Sequence, residues 1–172
     1  SRKQTKIKLI KNKNNLGFAK ANNLGINEAK GEYILLLNSD TILKEAAISQ
    51  TLLWLSAHPE AGVITCRLTN KDKTTQASGG FFPNLLNLVA WALFLDDLPL
   101  VNKIIKPYHP HTESFWVKGK NYLNTHEQDW VTGAFFLLRA EVYKKTGGFD
   151  KKVFMYVEEV EWCKRIKKAG FG

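Results

Sequence analysis

Residues 33–40, Tyr-Ile-Leu-Leu-Leu-Asn-Ser-Asp, constrain the fold more than any other stretch of this chain. Tyr33 to Leu37 carries no charge and no helical period. A short run with apolar side chains on both faces suits a strand covered by helices on each side. It stops on Asn38, Ser39 and Asp40 before apolar character resumes at Ile42. Ligands of open α/β sheets bind beyond the carboxyl ends of the strands. An acid there can hold a divalent cation, Mg²⁺ or Mn²⁺, whose other positions go to phosphate and water. Capping of the next helix by Ser39, Asp40 or Thr41 is the simpler alternative.

The neighbouring segments support a layered architecture. Lys6–Ile10 alternates like a short strand, and Phe18–Ala29 has helical spacing up to Gly31. Lys44–Ala57 reads as a helix ended by His58-Pro59, and Gly62–Leu68 as another strand. The alternation predicts an α/β fold on an open, mostly parallel sheet flanked by helices. Further on, Trp130–Arg139 reads as a strand containing Gly133-Ala134. Ala140–Thr146 is a short helix closing on Gly147-Gly148, and Tyr156–Ala169 is the last helix.

Residues 69–128 behave as a variable insertion. They hold Pro83, Pro99, Pro107 and Pro110 and show few clear periods. Leu85–Leu95 is too short to cross a bilayer and reads either as a buried helix or as a membrane-facing or lipid-accepting surface. His109-Pro110-His111 with Glu113, and His126 beside Glu127, lack further ligands at metal-binding spacing and read as solvated loop.

The 172 residues make one domain with room for a core. Lys and Arg number 25 against 16 acids, for a net charge of +9. That excess suits a phosphorylated substrate, an acidic membrane surface or nucleic acid. The basic residues form no stripe interleaved with aromatics and no nucleic-acid-binding motif is present, which argues against the last. Cys66 and Cys163, far apart and in apolar surroundings, read as two buried reduced thiols.

A second set of acids opens the last helix: Glu158, Glu159 and Glu161. Helical spacing lines Glu159 up with Trp162, Cys163, Ile166 and Ala169, so it should point inward. Glu158, Glu161 and Arg165 fall on a neighbouring face where charges three and four apart can pair. Burial raises a carboxyl pKa and a helix N-terminus lowers it; a partly buried, accessible carboxylate suits a general base. Acids simply placed well at a helix start are the alternative.

Six motifs in order carry a resemblance: Asn15-Leu16-Gly17-Phe18, Ala21-Asn22-Asn23-Leu24-Gly25, Leu36-Leu37-Asn38-Ser39-Asp40-Thr41, Trp130-Val131-Thr132-Gly133-Ala134, Gly147-Gly148-Phe149-Asp150 and Phe154-Met155-Tyr156-Val157-Glu158-Glu159. Together they resemble the family 2 glycosyltransferases of GT-A fold, especially the bacterial rhamnosyltransferase-like branch that builds cell-surface polysaccharide. The resemblance implies inverting transfer of a sugar, with rhamnose as a candidate, from a nucleotide-diphospho-sugar to a saccharide or lipid-linked saccharide. It implies a divalent cation on Asp40 and a nucleotide-sugar pocket containing Asn15, Gly17, Asn23, Asn38 and Asp40. Trp130, Gly133, Ala134 and Glu161 fall on the acceptor side. Glu159 matches the catalytic base, Glu158 its preceding acid and Arg165 the usual Arg. A cytoplasmic location follows, with peripheral association at the inner face of the plasma membrane.

The pattern departs from the family in places. Both aspartates of the usual Glu-Asp-x-Asp are glutamates here, Asn38 replaces the first acid of the Asp-x-Asp-type motif, and Ser39 replaces a proline. A base displaced by about 1 Å can lose on the order of 100-fold in rate. A catalytically inactive binding relative is therefore the main alternative, with a nucleotidyltransferase on a similar sheet behind it. The resemblance divides the chain into a nucleotide-sugar half (1–68), an insertion (69–128) and a catalytic half (129–172). It also implies a fragment cut at both ends, with roughly 30 residues of a first strand-and-helix unit lying before Ser1 and a C-terminal strand lying after Gly172.

Overall fold

The structure, a computed structural model, describes residues 7–44, 46–95, 98, 100–106, 108 and 124–172. The elements in chain order are α1 (Gly17–Glu28), β1 (Tyr33–Leu37), α2 (Ala47–Ala57), β2 (Val63–Ile64), β3 (Leu68–Thr69), β4 (Thr75–Gln76), β5 (Gly79–Gly80), α3 (Leu85–Ala92), α4 (Val101–Ile104), β6 (Trp130–Val131), β7 (Phe135–Arg139), α5 (Ala140–Thr146) and α6 (Glu158–Lys168).

β7 organises the core. Its sequence Phe-Phe-Leu-Leu-Arg is buried on both faces, and alternate side chains enter two different clusters. Phe136 and Leu138 pack with Ala19 and Ile26 of α1, Val142 of α5, and Trp162, Cys163 and Ile166 of α6. Phe135 and Leu137 pack with Leu55 of α2, Ala61 and Leu68. A strand alternates its side chains between faces, so an unbroken apolar run needs a layer on each side. It has both.

The pairing corrects the expected parallel sheet. β7 lies between β1 and β2 and runs antiparallel to each. β1 and β2 therefore point the same way without touching. β3–β4 and β5–β6 are also antiparallel. Among the described residues the architecture is mixed α/β with small antiparallel sheets.

Three strand expectations also change. Residues 7–10 form no strand and Ile7 and Leu9 are exposed; Lys6 lies outside the described residues. Alternation selects a strand only where a neighbour completes the ladder, and no described strand pairs there. Gly62–Leu68 is shared between β2, in the main sheet, and β3, in a hairpin. Trp130–Arg139 breaks at residues 132–134, which hands β6 to β5 and β7 to β1. The buried-helix reading of Leu85–Leu95 fails as well: α3 buries only Asn87 and Ala90. The motif at His109, His111 and Glu113 lies outside the described residues.

Candidate active site

The break between β6 and β7 holds both the Asn38–Thr41 turn and the Glu159 carboxylate. Gly133 N–H donates to Glu159 Oε1 at 2.8 Å. A Cβ at Gly133 would stand 2.7 Å from that oxygen and 3.0 Å from Phe18 Cζ, so only glycine admits the carboxylate here. One residue on, Ala134 C=O accepts from Asn38 N–H at 3.2 Å and from the Thr41 hydroxyl at 3.4 Å. Thr41 N–H closes a turn onto Asn38 C=O at 3.1 Å. That turn carries Asp40, whose side chain, like that of Asn38, is exposed. Asp40 and Glu159 are thus positioned by consecutive residues of one strand connection. The capping alternative for residues 39–41 fails, since α2 starts at Ala47 behind Ala46 with no side-chain cap.

A strained loop aims α6. Tyr156 and Val157 have φ of 68° and 66°, a region that a β-branched residue rarely occupies. Each such residue costs on the order of 1–3 kcal/mol and persists only where its surroundings dictate it. The surroundings here are the start of α1. Phe18 N–H donates to Phe154 C=O at 3.2 Å, and a Cβ on Gly17 (φ 76°) would come 2.6 Å from that oxygen. Asn15 Oδ1 in turn accepts Gly17 N–H at 2.9 Å. Asn15 and Gly17, assigned by resemblance to a nucleotide pocket, spend these groups on holding the loop before the acids.

Within α6 two glutamates turn inward, Glu159 as expected and Glu158 as well. Glu158, expected on the neighbouring face, is 3% exposed and its Oε2 has no hydrogen-bond partner. Burial pushes its carboxyl above the ordinary range, with the Glu159 charge adding to the effect. Glu159 is half-buried. Glu158 stands four residues before the buried Trp162, so a regular helix turns it inward beside Glu159. Glu161 pairs with Arg165 at 2.6 Å, and Arg165 also donates to Gly148 C=O at 2.6 Å. This expected i,i+4 pair ties α6 to the Gly147-Gly148 turn.

Other candidates lie in the framework. Asn23 is buried, donating to Phe149 C=O at 2.8 Å and accepting Phe149 N–H at 2.9 Å. Each of its amide atoms already holds backbone. Trp130 is buried against Gly80, its indole N–H donating to Phe81 C=O at 3.1 Å. A cavity of about 680 Å³ lies between α2, β2, residues 124–131 and α6, and Trp130 lines it; Asp40 and Glu159 do not. Cys66 and Cys163 are free thiols, and burial pushes Cys163 up to about 12, where it is inert. His126 is exposed and engaged with Asn124 C=O and Gln128.

Phe18, Thr41 and Phe154 hold the site; they fall in the six family motifs, but no site role was expected of them. Tyr108 packs on Trp130, and burial, then the Glu159 charge, raises its hydroxyl pKa. Gly17 was the available signal for Phe154, because a glycine opening a helix implies a close approach or a left-handed turn.

Among the described residues no group of three or more His, Cys, Asp or Glu side chains could hold a metal by itself. One exposed carboxylate, Asp40, nevertheless fits a Mg²⁺-type donor set, in which one or two protein carboxylates suffice and phosphate and water supply the rest.

The family model for glycosyl transferase family 2 matches residues 1–147. The chain is 27% identical over 162 residues to rhamnosyltransferase WbbL of Escherichia coli K12, covering 90% of this chain and 55% of that protein. It is 24% identical over 178 residues to the N-acetylglucosaminyl-diphospho-decaprenol L-rhamnosyltransferase of Mycobacterium tuberculosis, covering 96% and 54%. The O-antigen biosynthesis protein RfbC of Myxococcus xanthus is 29% identical over 149 residues, 87% of this chain and 10% of that one. The chain thus spans about half the length of the two rhamnosyltransferases. No solved structure matches it. With a family model covering residues 1–147 of its 172, the chain belongs to glycosyl transferase family 2.

Proposed function

We propose that this protein is an inverting glycosyltransferase of GT-A fold that moves a sugar from a nucleotide-diphospho-sugar to a saccharide hydroxyl in polysaccharide synthesis at the cytoplasmic side of the membrane. The observation that carries the reading is the hydrogen bonding of the Asp40 turn and the Glu159 carboxylate to the adjacent residues Ala134 and Gly133. Asp40 is the residue to hold a divalent cation, which when bound neutralises diphosphate charge. Asn38 shares its turn and faces the same donor.

Glu159, with Oε1 fixed by Gly133 N–H, takes the proton of the acceptor hydroxyl. The acceptor oxygen bonds to the anomeric carbon as that carbon's bond to the diphosphate breaks, so one displacement inverts the configuration. The absence of a side chain at Gly133 leaves room beside the carboxylate. Glu158 stays buried behind the base. The rhamnosyltransferase names of two relatives make L-rhamnose the first donor to try, and the decaprenol of one favours a lipid-linked acceptor.

Calorimetric titration of Mn²⁺ with nucleoside diphosphates, followed by a donor panel, tests the reading. Joint binding that Asp40→Asn weakens by about ten-fold or more, with donor consumption by the wild-type protein, is expected. Joint binding without consumption of any donor would overturn transfer in favour of a binding relative. Binding insensitive to Asp40→Asn would overturn the cation assignment.

A further inference from the structure

α3 is built inside out. The residues that it turns into the protein are Asn87, the one polar side chain of the helix, and Ala90. Asn87 donates to Phe82 C=O and completes a reciprocal capping box with Asn84, so the orientation is fixed by three hydrogen bonds. The opposite side holds Leu85, Leu88 and Val89, with Leu86 and Trp91 at its flanks, and all five are exposed. Leu85 and Leu86 are 78% and 70% exposed, and the next turn adds Leu93 and Phe94. A surface helix in water puts its polar residues outward. Here the medium that suits the outward side is apolar.

Charge decides between apolar media. No charged residue occurs from Phe81 to Leu95. The Lys106 ammonium lies 4.9 Å from the centre of the Phe81 ring, beside the start of the helix. The chain as a whole carries +9, which repels a second copy of itself and draws it to an anionic lipid surface. At 8 residues α3 is too short to span a bilayer, and no described helix is long and apolar enough to do so. A short apolar helix with a Trp, lying in the interface plane, is the geometry of peripheral insertion.

We propose that the outward face of α3 docks this protein on an anionic bilayer. The inference goes beyond sugar transfer, because it names the surface that meets the bilayer, and its test uses neither donor nor acceptor. Failure of the transfer reading would leave it standing.

Flotation of the full-length protein with phosphatidylcholine vesicles, with and without phosphatidylglycerol, tests it beside Leu85→Glu/Leu86→Glu. Both substituted positions are exposed, and circular dichroism checks that the fold is retained; Val89→Glu serves as a second variant. The wild type should float with the anionic vesicles, and the double variant should bind about ten-fold or more weakly. A wild type that stays at the bottom of the gradient would overturn the proposal. So would a folded variant that floats like the wild type. A dimer in sedimentation that the double variant splits, without vesicle binding by either, would replace the bilayer with a second copy.

Discussion

β7 and α3 are both almost wholly apolar in sequence, yet they end in opposite surroundings. Phe135 to Leu138 sit between two layers, with α1, α5 and α6 on one side and α2 on the other. Leu85, Leu86 and Val89 face out from a helix whose inner contacts are an asparagine and an alanine. The difference teaches that apolar character marks a need for cover without saying what supplies it. For β7 the cover is the rest of the chain.

The sharpest way to break this contrast is a pair of truncations. Phe136→Ala removes a ring with no exposure, stacked on Trp162 at 5.4 Å, and should cost about 3–5 kcal/mol in denaturant unfolding. Comparable unfolding midpoints for Phe136→Ala and an α3 truncation would erase the distinction between the two regions.

Gly133→Ala probes the end of β7 where packing gives way to chemistry. The added methyl would displace the Glu159 carboxylate, and transfer should fall by about 100-fold while donor binding persists. Glu159→Asp, one methylene shorter, should restore part of that loss in the double variant. No such rescue would mean that Gly133 matters to the strand break rather than to the acid.

A pH profile sharpens the contrast between the buried and the accessible glutamate. The Glu158 pKa is raised in the folded state by burial, so folding favours its proton. Its contribution to stability is complete below the ordinary 4.5 and is lost as pH rises through the folded value. Glu158→Gln should therefore stabilise the protein at neutral pH and confer no gain below about pH 4. A gain independent of pH would contradict burial as the cause. The smallest effect is expected at the surface: Leu86→Ser on α3 should change stability by no more than about 0.5 kcal/mol.

What the sequence made legible follows the same division. Tyr33–Leu37 and Ala140–Thr146 have the bounds read from periodicity and glycine punctuation, because local signals and tertiary packing agree there. Strand direction was not legible: an apolar run states that both faces are covered and is silent on which neighbour it pairs with. The meeting of residues 38–41, 133–134 and 159 was legible as motif order alone. The burial of Glu158 was not, because charge pairing was expected on its face and Trp162, four residues on, draws it inward instead. Asn15, Gly17 and Asn23 stood out for ligand binding, and the structure adds that each also holds backbone, at Gly17, Phe154 and Phe149.

Transfer depends on Glu159 receiving a proton at a place set by Gly133. Glu159→Gln, measured for donor binding and for sugar transfer side by side, tests this directly. Transfer lowered by about 100-fold or more with donor affinity unchanged is the predicted result. Transfer at the wild-type rate would contradict it.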